Sequence, residues 1–157
     1  MTSQLFKALI FKNHKKVILI FLLPCFFFSQ NIAASNTTGV LVTSKTSAIT
    51  KLERKDVRRI FLGLKPLQAN KDAIPVLNIS NASTYRLFLK NIMFLTESGY
   101  QRKLVKRVFR QGADKIHSID SIDELSRYLA QHPNNISFML EEEALKHADI
   151  IIIQGLW

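Results

Sequence analysis

The sequence predicts a single α/β domain that follows an N-terminal leader. Short β-branched segments alternate with amphipathic helical segments, which is the pattern of a sheet covered by helices. About 120 residues remain after the leader, enough for one hydrophobic core and too few for two. No internal repeat, low-complexity tract or linker divides these residues. We therefore expect one domain over residues 35–157.

Residues 1–34 have the order of a secretory signal peptide: basic, then apolar, then small residues. The basic part contains Lys7, Lys12, Lys15 and Lys16, the apolar block is 17–28, and Ala33 and Ala34 follow. The block is shorter than the roughly 20 residues of a membrane-spanning helix. We expect cleavage before Ser35 and a periplasmic mature protein. An uncleaved anchor and lipidation at Cys25 are the alternatives.

The charge of the chain is basic, but part of that charge belongs to the leader. The whole sequence carries a net charge of +10, whereas residues 35–157 keep 18 basic and 12 acidic side chains, a net of +6. A basic balance often indicates nucleic-acid binding, but export argues against that partner. We expect a small anion or an anionic envelope component instead, or a solvated surface without a partner. The single cysteine, Cys25, lies in the leader, so we expect no disulfide.

The first half of the domain predicts one strand–helix–strand unit. In order, the pattern indicates a strand over 37–43, a hydroxyl-rich loop over 44–50, a helix over 52–62 and a strand over 74–79. Gly63 marks the end of the helix. Thr50 and Glu53 have the spacing of a capping box, although the helix could equally begin near Glu53. This order favours a parallel sheet.

The second half predicts three longer helices and two further strands. The pattern indicates helices over 85–95, 99–110 and from 121, a loop over 111–119, a strand over 136–140, a short helix over 141–147 and a buried strand over 149–153. Ser83 is the expected N-cap of the first helix. Ser98 with Gln101 shows capping-box spacing before the second, and Ser121 with Glu124 shows it before the third.

The predicted helix over 99–110 has one apolar and one basic side. Leu104, Val105, Val108 and Phe109 share the side that we expect in the core. Arg102, Lys103, Lys106, Arg107 and Arg110 take the opposite side. Arg102, Lys106 and Arg110 are therefore candidates for docking an acidic or anionic partner, and a merely solvated charge run is the alternative.

Two hydroxyl-rich loops follow the first two strands and form a candidate anion site. The first loop contains Thr43, Ser44, Thr46 and Ser47, and the second contains Ser80, Ser83 and Thr84. Ligands of open α/β sheets lie beyond the carboxyl ends of strands, and helix N-termini favour anions. We expect the two loops to converge on one concavity that holds a phosphate-sized oxyanion. The alternative is that Ser83 only caps its helix and the other hydroxyls only decorate turns.

Catalytic and metal-binding patterns are weak throughout the chain. His117, His132 and His147 are 15 residues apart and lack paired metal-ligand spacing. The run Glu141 to Glu143 is explained as a helix N-terminus. The chain contains no G-x-S-x-G, H-E-x-x-H or glycine-rich phosphate loop. We therefore expect no catalytic activity, no cofactor and no metal site.

Several segments carry a resemblance to a known family. They are 52–63, which ends in I-F-L-G; 74–77, the strand I-P-V-L; 83–86, a serine-led helix start with an arginine; V-F followed by Gly112; and 135–138, N-I-S-F. This order resembles short phosphate-ABC-transporter substrate-binding-like proteins of the type II periplasmic-binding-protein fold. The chain departs from the family in lacking a tryptophan after I-F-x-G and in replacing the glycines of G-x-I-G-Y by Asn and Ser.

The resemblance implies both a fold and a function. The expected fold is a three-layer domain with a mixed, mostly parallel sheet, like one lobe of a type II periplasmic binding protein. The expected function is binding of phosphate or a similar small oxyanion for a membrane transporter or sensor. Ser44, Thr46, Ser80, Ser83 and Thr84 would donate to the anion and Arg86 would add charge. The alternative is a ligand-free interaction module that docks an envelope partner through Arg102, Lys106 and Arg110.

Overall fold

The computed structural model describes residues 37–67 and 72–157. The predicted leader over 1–34, the cleavage site before Ser35 and Cys25 lie outside the described residues. The described part of the domain belongs to one compact unit. None of its helices has both the length and the apolar character needed to cross a bilayer.

The described residues form one five-stranded sheet. Its strands are β1 (Gly39–Ser44), β2 (Ile74–Asn78), β3 (His117–Ile119), β4 (Asn135–Leu140) and β5 (Ile150–Gly155), in the spatial order β3-β2-β4-β1-β5. β2 pairs in parallel with β3 and β4, whereas β1 pairs antiparallel with β4 and β5. Four of the described strands therefore run in one direction and β1 runs in the other. The expected mixed, mostly parallel sheet is confirmed.

The prediction that the first strand–helix–strand unit is parallel is wrong. β1 and β2 run in opposite directions and do not pair, because β4 lies between them. Apolar alternation assigns the side chains of a strand to faces of a sheet, but it carries no information about strand direction. The neighbour that sets this direction comes from the far end of the chain.

Five α-helices connect and cover the described strands. They are α1 (Arg54–Phe61), α2 (Ala82–Phe88), α3 (Glu97–Gln111), α4 (Ile122–Gln131) and α5 (Glu141–Ala144), and a π-helical turn, Leu89–Met93, extends α2. The predicted loop over 111–119 contains the short strand β3. Glu53 is the N-cap residue of α1, so the start near Glu53 is the correct alternative.

The N-cap of α2 is Asn81, so the prediction that Ser83 caps this helix is wrong. The Asn81 side chain accepts hydrogen bonds from the backbone N–H of Ser83 (2.8 Å) and of Thr84 (3.2 Å). Asn81 has the extended backbone of an N-cap, while Ser83 already lies in the first turn. Two of the N–H groups that an anion would need at this helix start, those of Ser83 and Thr84, are therefore already satisfied within the chain.

Of the two caps predicted for α3 and α4, the structure confirms the second and corrects the first. Thr96 caps α3 by accepting from the N–H of Gly99 at 3.2 Å, so the predicted start at Ser98 is wrong by two residues. Ser121 caps α4 by accepting from the N–H of Glu124 at 3.4 Å, as predicted. Neighbouring hydroxyl residues compete for one cap position, and local pattern does not rank them.

Both faces of the sheet are covered, which makes three layers. On one face Leu41 packs with Phe61, Phe88 and Phe138, and the rings of Phe88 and Phe138 stack at 3.8 Å between centroids. On the other face Val40, Val42 and Met139 pack against Leu125 and Leu129 of α4. The alternation of Val40, Leu41 and Val42 follows from the two-residue period of a strand. The predicted single three-layer domain is confirmed.

Candidate functional site

The structure places the two hydroxyl-rich loops at opposite ends of the strands. β1 ends at Ser44 beside the beginning of β4, since Thr43 pairs with Ile136. β2 begins beside the beginning of β4 and runs parallel to it, so β2 ends at Asn78 near the end of β4, with Ser80 beyond it. The expected convergence of Ser44 and Thr46 with Ser80 and Ser83 is therefore wrong. The reason is again the reversed direction of β1.

The first loop is a turn that satisfies its own hydroxyl groups. The Ser44 and Thr46 hydroxyl oxygens lie 2.9 Å apart, and the Thr46 N–H donates to the Ser44 hydroxyl at 3.2 Å. Ser44 itself is buried. These contacts explain the hydroxyl residues of the loop as turn-forming groups.

The second loop leaves only part of its polar groups exposed. The Ser80 hydroxyl donates to Asn78 Oδ1 at 2.6 Å, and Thr84 is buried. Ser83 and Arg86 are exposed and lie three residues apart, so they are neighbours on the surface of α2. Of the predicted oxyanion donors that follow β2, these two side chains are the most exposed to a solute.

The apolar side of α3 is largely exposed, which overturns its predicted core position. The relative exposure is 51% for Val105, 36% for Val108 and 84% for Phe109, and Leu104 is half-buried. Within α3, Tyr100 is the buried residue. Tyr100 and Arg107 anchor the helix to the end of α1, whereas these apolar side chains remain accessible. Periodicity identified the apolar side correctly but could not tell that no element of the described domain covers it.

The predicted basic side of α3 needs one correction. Arg107 is half-buried, and its Nη1 donates to the Leu62 carbonyl oxygen at 2.6 Å while its Nε donates to Gln111 Oε1 at 3.1 Å. Arg102, Lys106 and Arg110 are exposed on this helix, as predicted. They line a shallow surface groove together with Val105 and Phe109.

A cleft of about 510 Å³ opens between α2, α3, the end of β2 and the segment that leads into β3. Most of its wall is apolar, including Leu62, Leu77, Ile79, Tyr85, Val105, Val108, Phe109 and Ile116. Its polar lining consists mainly of Arg86, Glu97, Gln101, Arg107, Asp114, Lys115 and Ser118. The volume lies within the roughly 300–1,000 Å³ of ordinary ligand pockets. This cleft is the candidate site.

The cleft carries a small positive excess of charge. Three of its lining residues are cations and two are carboxylates. Among the described residues Arg86 and Lys115 are exposed and form no ion pair, whereas Arg107 is held by Leu62 and Gln111. The cations free to meet a ligand are therefore Arg86 and Lys115. Lys115 lies in a segment predicted as a loop, and no local pattern singled it out.

Tyr85 contributes a buried hydroxyl to the cleft wall. Burial raises its pKa, and the adjacent Gln101 opposes part of that rise. The hydroxyl nevertheless has no hydrogen bond of acceptable geometry within the described part of the chain. A buried polar group without a partner is costly and marks a place where a ligand or water would be favoured.

Comparison with known proteins identifies the fold. No protein-family model matches the sequence, and no curated protein matches it. PstS from Borrelia burgdorferi matches in structure with a TM-score of 0.51 and 15% identity, over 74% of this chain and 46% of that one. An ABC-type phosphate transport receptor from Vibrio cholerae matches with a TM-score of 0.44 and 14% identity, over 77% and 50%. The chain therefore spans about half the length of these proteins. The first likeness supports the fold, an α/β domain like one lobe of a periplasmic binding protein.

Proposed function

We propose that this protein is an exported solute-binding-like protein that holds an anionic solute in the cleft between α2 and α3 and serves a membrane transporter or sensor. The observation that carries the proposal is the position of the cleft. It lies beside the carboxyl end of β2, the kind of place at which open α/β sheets bind ligands, and beside the segment that leads into β3. It presents Arg86 and Lys115, which have no ion-pair partner among the described residues. We propose a binding role rather than an enzymatic one.

The simplest ligand is phosphate or a similar small oxyanion. Arg86 would donate to it from the cleft lining, Ser83 would donate from the adjoining surface of α2, and Lys115 would add charge. β4 ends near the end of β2 and is followed by three carboxylates, Glu141, Glu142 and Glu143. They repel an anion placed beyond the end of β4. The site is therefore expected on the α2 side. Because a single lobe leaves the anion exposed to water, binding is expected to be weak.

Calorimetry on the mature protein tests this proposal. Titration with phosphate should release or absorb heat beyond dilution, and Arg86→Ala should lower the affinity. Lys45→Ala is the matched control, since it removes an exposed cation that follows β1, at the end of the strands opposite to the end of β2. Absence of binding by the unaltered protein to phosphate or to organic anions, or equal losses in the two variants, would reject the proposal.

A second candidate function is docking of an envelope partner through α3. The observation that favours it is the exposure of Phe109 beside Arg102, Lys106 and Arg110, since an apolar residue within a basic surface is typical of interfaces. A photo-crosslinker at position 103, next to this surface, should capture a subunit of a membrane transporter or sensor. Reversing charge at Lys106 and Arg110 should abolish that product, and Lys45→Glu should not.

A further inference from the structure

The cleft between α2 and α3 is larger and more apolar than an inorganic anion requires. A site for phosphate alone would be a small polar shell, whereas this cleft has a volume of about 510 Å³ and a mostly hydrocarbon wall. Water in contact with such a wall is displaced favourably by an apolar ligand group. The cleft therefore favours a ligand that brings hydrocarbon as well as charge.

The exposed residues of α3 form the apolar part of this site. Val105, Val108 and Phe109 line the cleft and remain accessible in the described domain. On the facing side, Ile79 at the end of β2 is also exposed, and Leu77 lies buried beneath it. A hydrocarbon chain lying between these walls would remove apolar surface from water on both sides, which is the main favourable term of such binding.

The charged part of the site lies on α2 and on the segment before β3. Arg86 and Lys115 are exposed cations of the cleft lining, and neither has an ion-pair partner among the described residues. Tyr85 adds a buried hydroxyl that lacks a hydrogen-bond partner in the described part of the chain. Cations and a hydroxyl donor next to an apolar wall match an amphiphilic anion.

We infer that the cleft binds an organic anion with an apolar body, such as a medium-chain carboxylate or alkyl phosphate, with its charged group at Arg86 and Lys115 and its chain along α3. This inference rests on the proposed function, because it names the class of anionic solute that the same site takes. It differs from that proposal in assigning most of the binding free energy to hydrocarbon burial.

Calorimetry with five small ligands tests the inference on the mature protein. Octanoate should bind about tenfold or more tightly than acetate or inorganic phosphate, because it adds chain burial to the same charge. Octanol should bind more weakly than octanoate because it lacks the charge. Octyl phosphate should bind like octanoate, since each joins an anionic group to an alkyl chain of similar length.

Two variants assign the two parts of the site. Arg86→Ala should weaken octanoate and leave octanol unchanged. Val105→Ser should weaken both, and folding should tolerate it because Val105 is 51% exposed. Leu145→Ser is the matched control: Leu145 is 74% exposed and lies outside the cleft lining, so it should alter neither ligand.

Three results would overturn the inference. If phosphate binds as tightly as octanoate, the cleft is a simple anion site, and the proposed function stands without this refinement. If none of the ligands binds, both proposals fail. If sedimentation shows a dimer that Val105→Ser dissociates and octanoate does not, a second copy of the chain covers α3 instead of a solute.

Discussion

The hydroxyl of Tyr100 in α3 donates a buried hydrogen bond to the backbone carbonyl of Phe61, the last residue of α1, at 2.5 Å. About two turns further along the same helix, Arg107 donates to the carbonyl of Leu62 at 2.6 Å. The last carbonyls of a helix have no partner within the helix itself. The end of α1 is therefore satisfied by α3, and these two bonds hold the helix that forms one wall of the cleft.

Tyr100→Phe should destabilise the domain by about 1–3 kcal/mol, because it leaves the buried Phe61 carbonyl without this partner. The measurement is the free energy of unfolding from denaturant titration. Tyr128→Phe is the control, since Tyr128 is half-buried and its ring stacks on His132 in either form. Equal effects in the two variants would show that the Tyr100 bond does not stabilise the fold.

Stability should fall at alkaline pH through Tyr100 and Tyr85. Burial raises the pKa of both phenols above the ordinary value of about 10, because the anionic form is poorly solvated in the core. The neutral forms therefore contribute fully below about pH 10, and stability decreases as the pH rises above the pKa of the unfolded chain. Unfolding free energies at pH 8 and pH 11 measure this loss. Tyr100→Phe should reduce the pH dependence, and an unchanged dependence would contradict the assignment.

Asn81→Ala should destabilise the domain by about 0.5–2 kcal/mol, the usual cost of losing an N-cap side chain. Asn81 accepts from two N–H groups at the start of α2, whereas the exposed Ser83 hydroxyl accepts from neither. Ser83→Ala should therefore change stability by less than about 0.5 kcal/mol, as for other surface positions. Thermal unfolding of the two variants compares them directly. A larger destabilisation by Ser83→Ala than by Asn81→Ala would indicate that Ser83, and not Asn81, is the N-cap.

Gly63→Ala should destabilise by at least about 1 kcal/mol, because Gly63 adopts φ +69°, a left-handed conformation that L-residues adopt at a cost. An added Cβ would also lie 3.1 Å from Nη1 of Arg107, the group that holds α3. Gly155→Ala is the control, as no described atom lies within 4 Å of an added Cβ there. Denaturant unfolding should separate the two variants, and a tolerated alanine at Gly63 would contradict this account.

The leader prediction is tested by N-terminal sequencing of the periplasmic form after expression of the full chain in bacteria. We expect the mature protein to begin at Ser35, because small residues precede that position. Replacing Ala34 by a bulky residue should leave the leader attached. Acylation at Cys25, or an intact leader in the cytosol, would reject the cleavable signal peptide.

The element pattern of this domain was largely readable from local sequence. Apolar periodicity located the strands near Val40, Val76 and Phe138 and the helices between them, since side-chain spacing reflects which face is buried. Local sequence failed where several residues had similar chemistry. Asn and Ser are both favourable N-cap residues, so the choice between Asn81 and Ser83 depends on where β2 ends and α2 begins.

The candidate site was mostly beyond the reach of sequence reasoning. Arg86 was identified, but Lys115 and Tyr85 carry no local pattern that marks them as cleft residues. The exposure of Phe109 was also missed, because a helix with an apolar side is the same sequence pattern whether or not another element covers that side.

The sequence alone was therefore enough to establish an α/β domain with a basic, amphipathic helix. The direction of β1, the separation of Ser44 from Ser80 and the cleft beside α3 depended on contacts between distant segments. The physical reason is that periodicity reports burial along one element, whereas strand direction and cavity shape arise from hydrogen bonding and packing between elements.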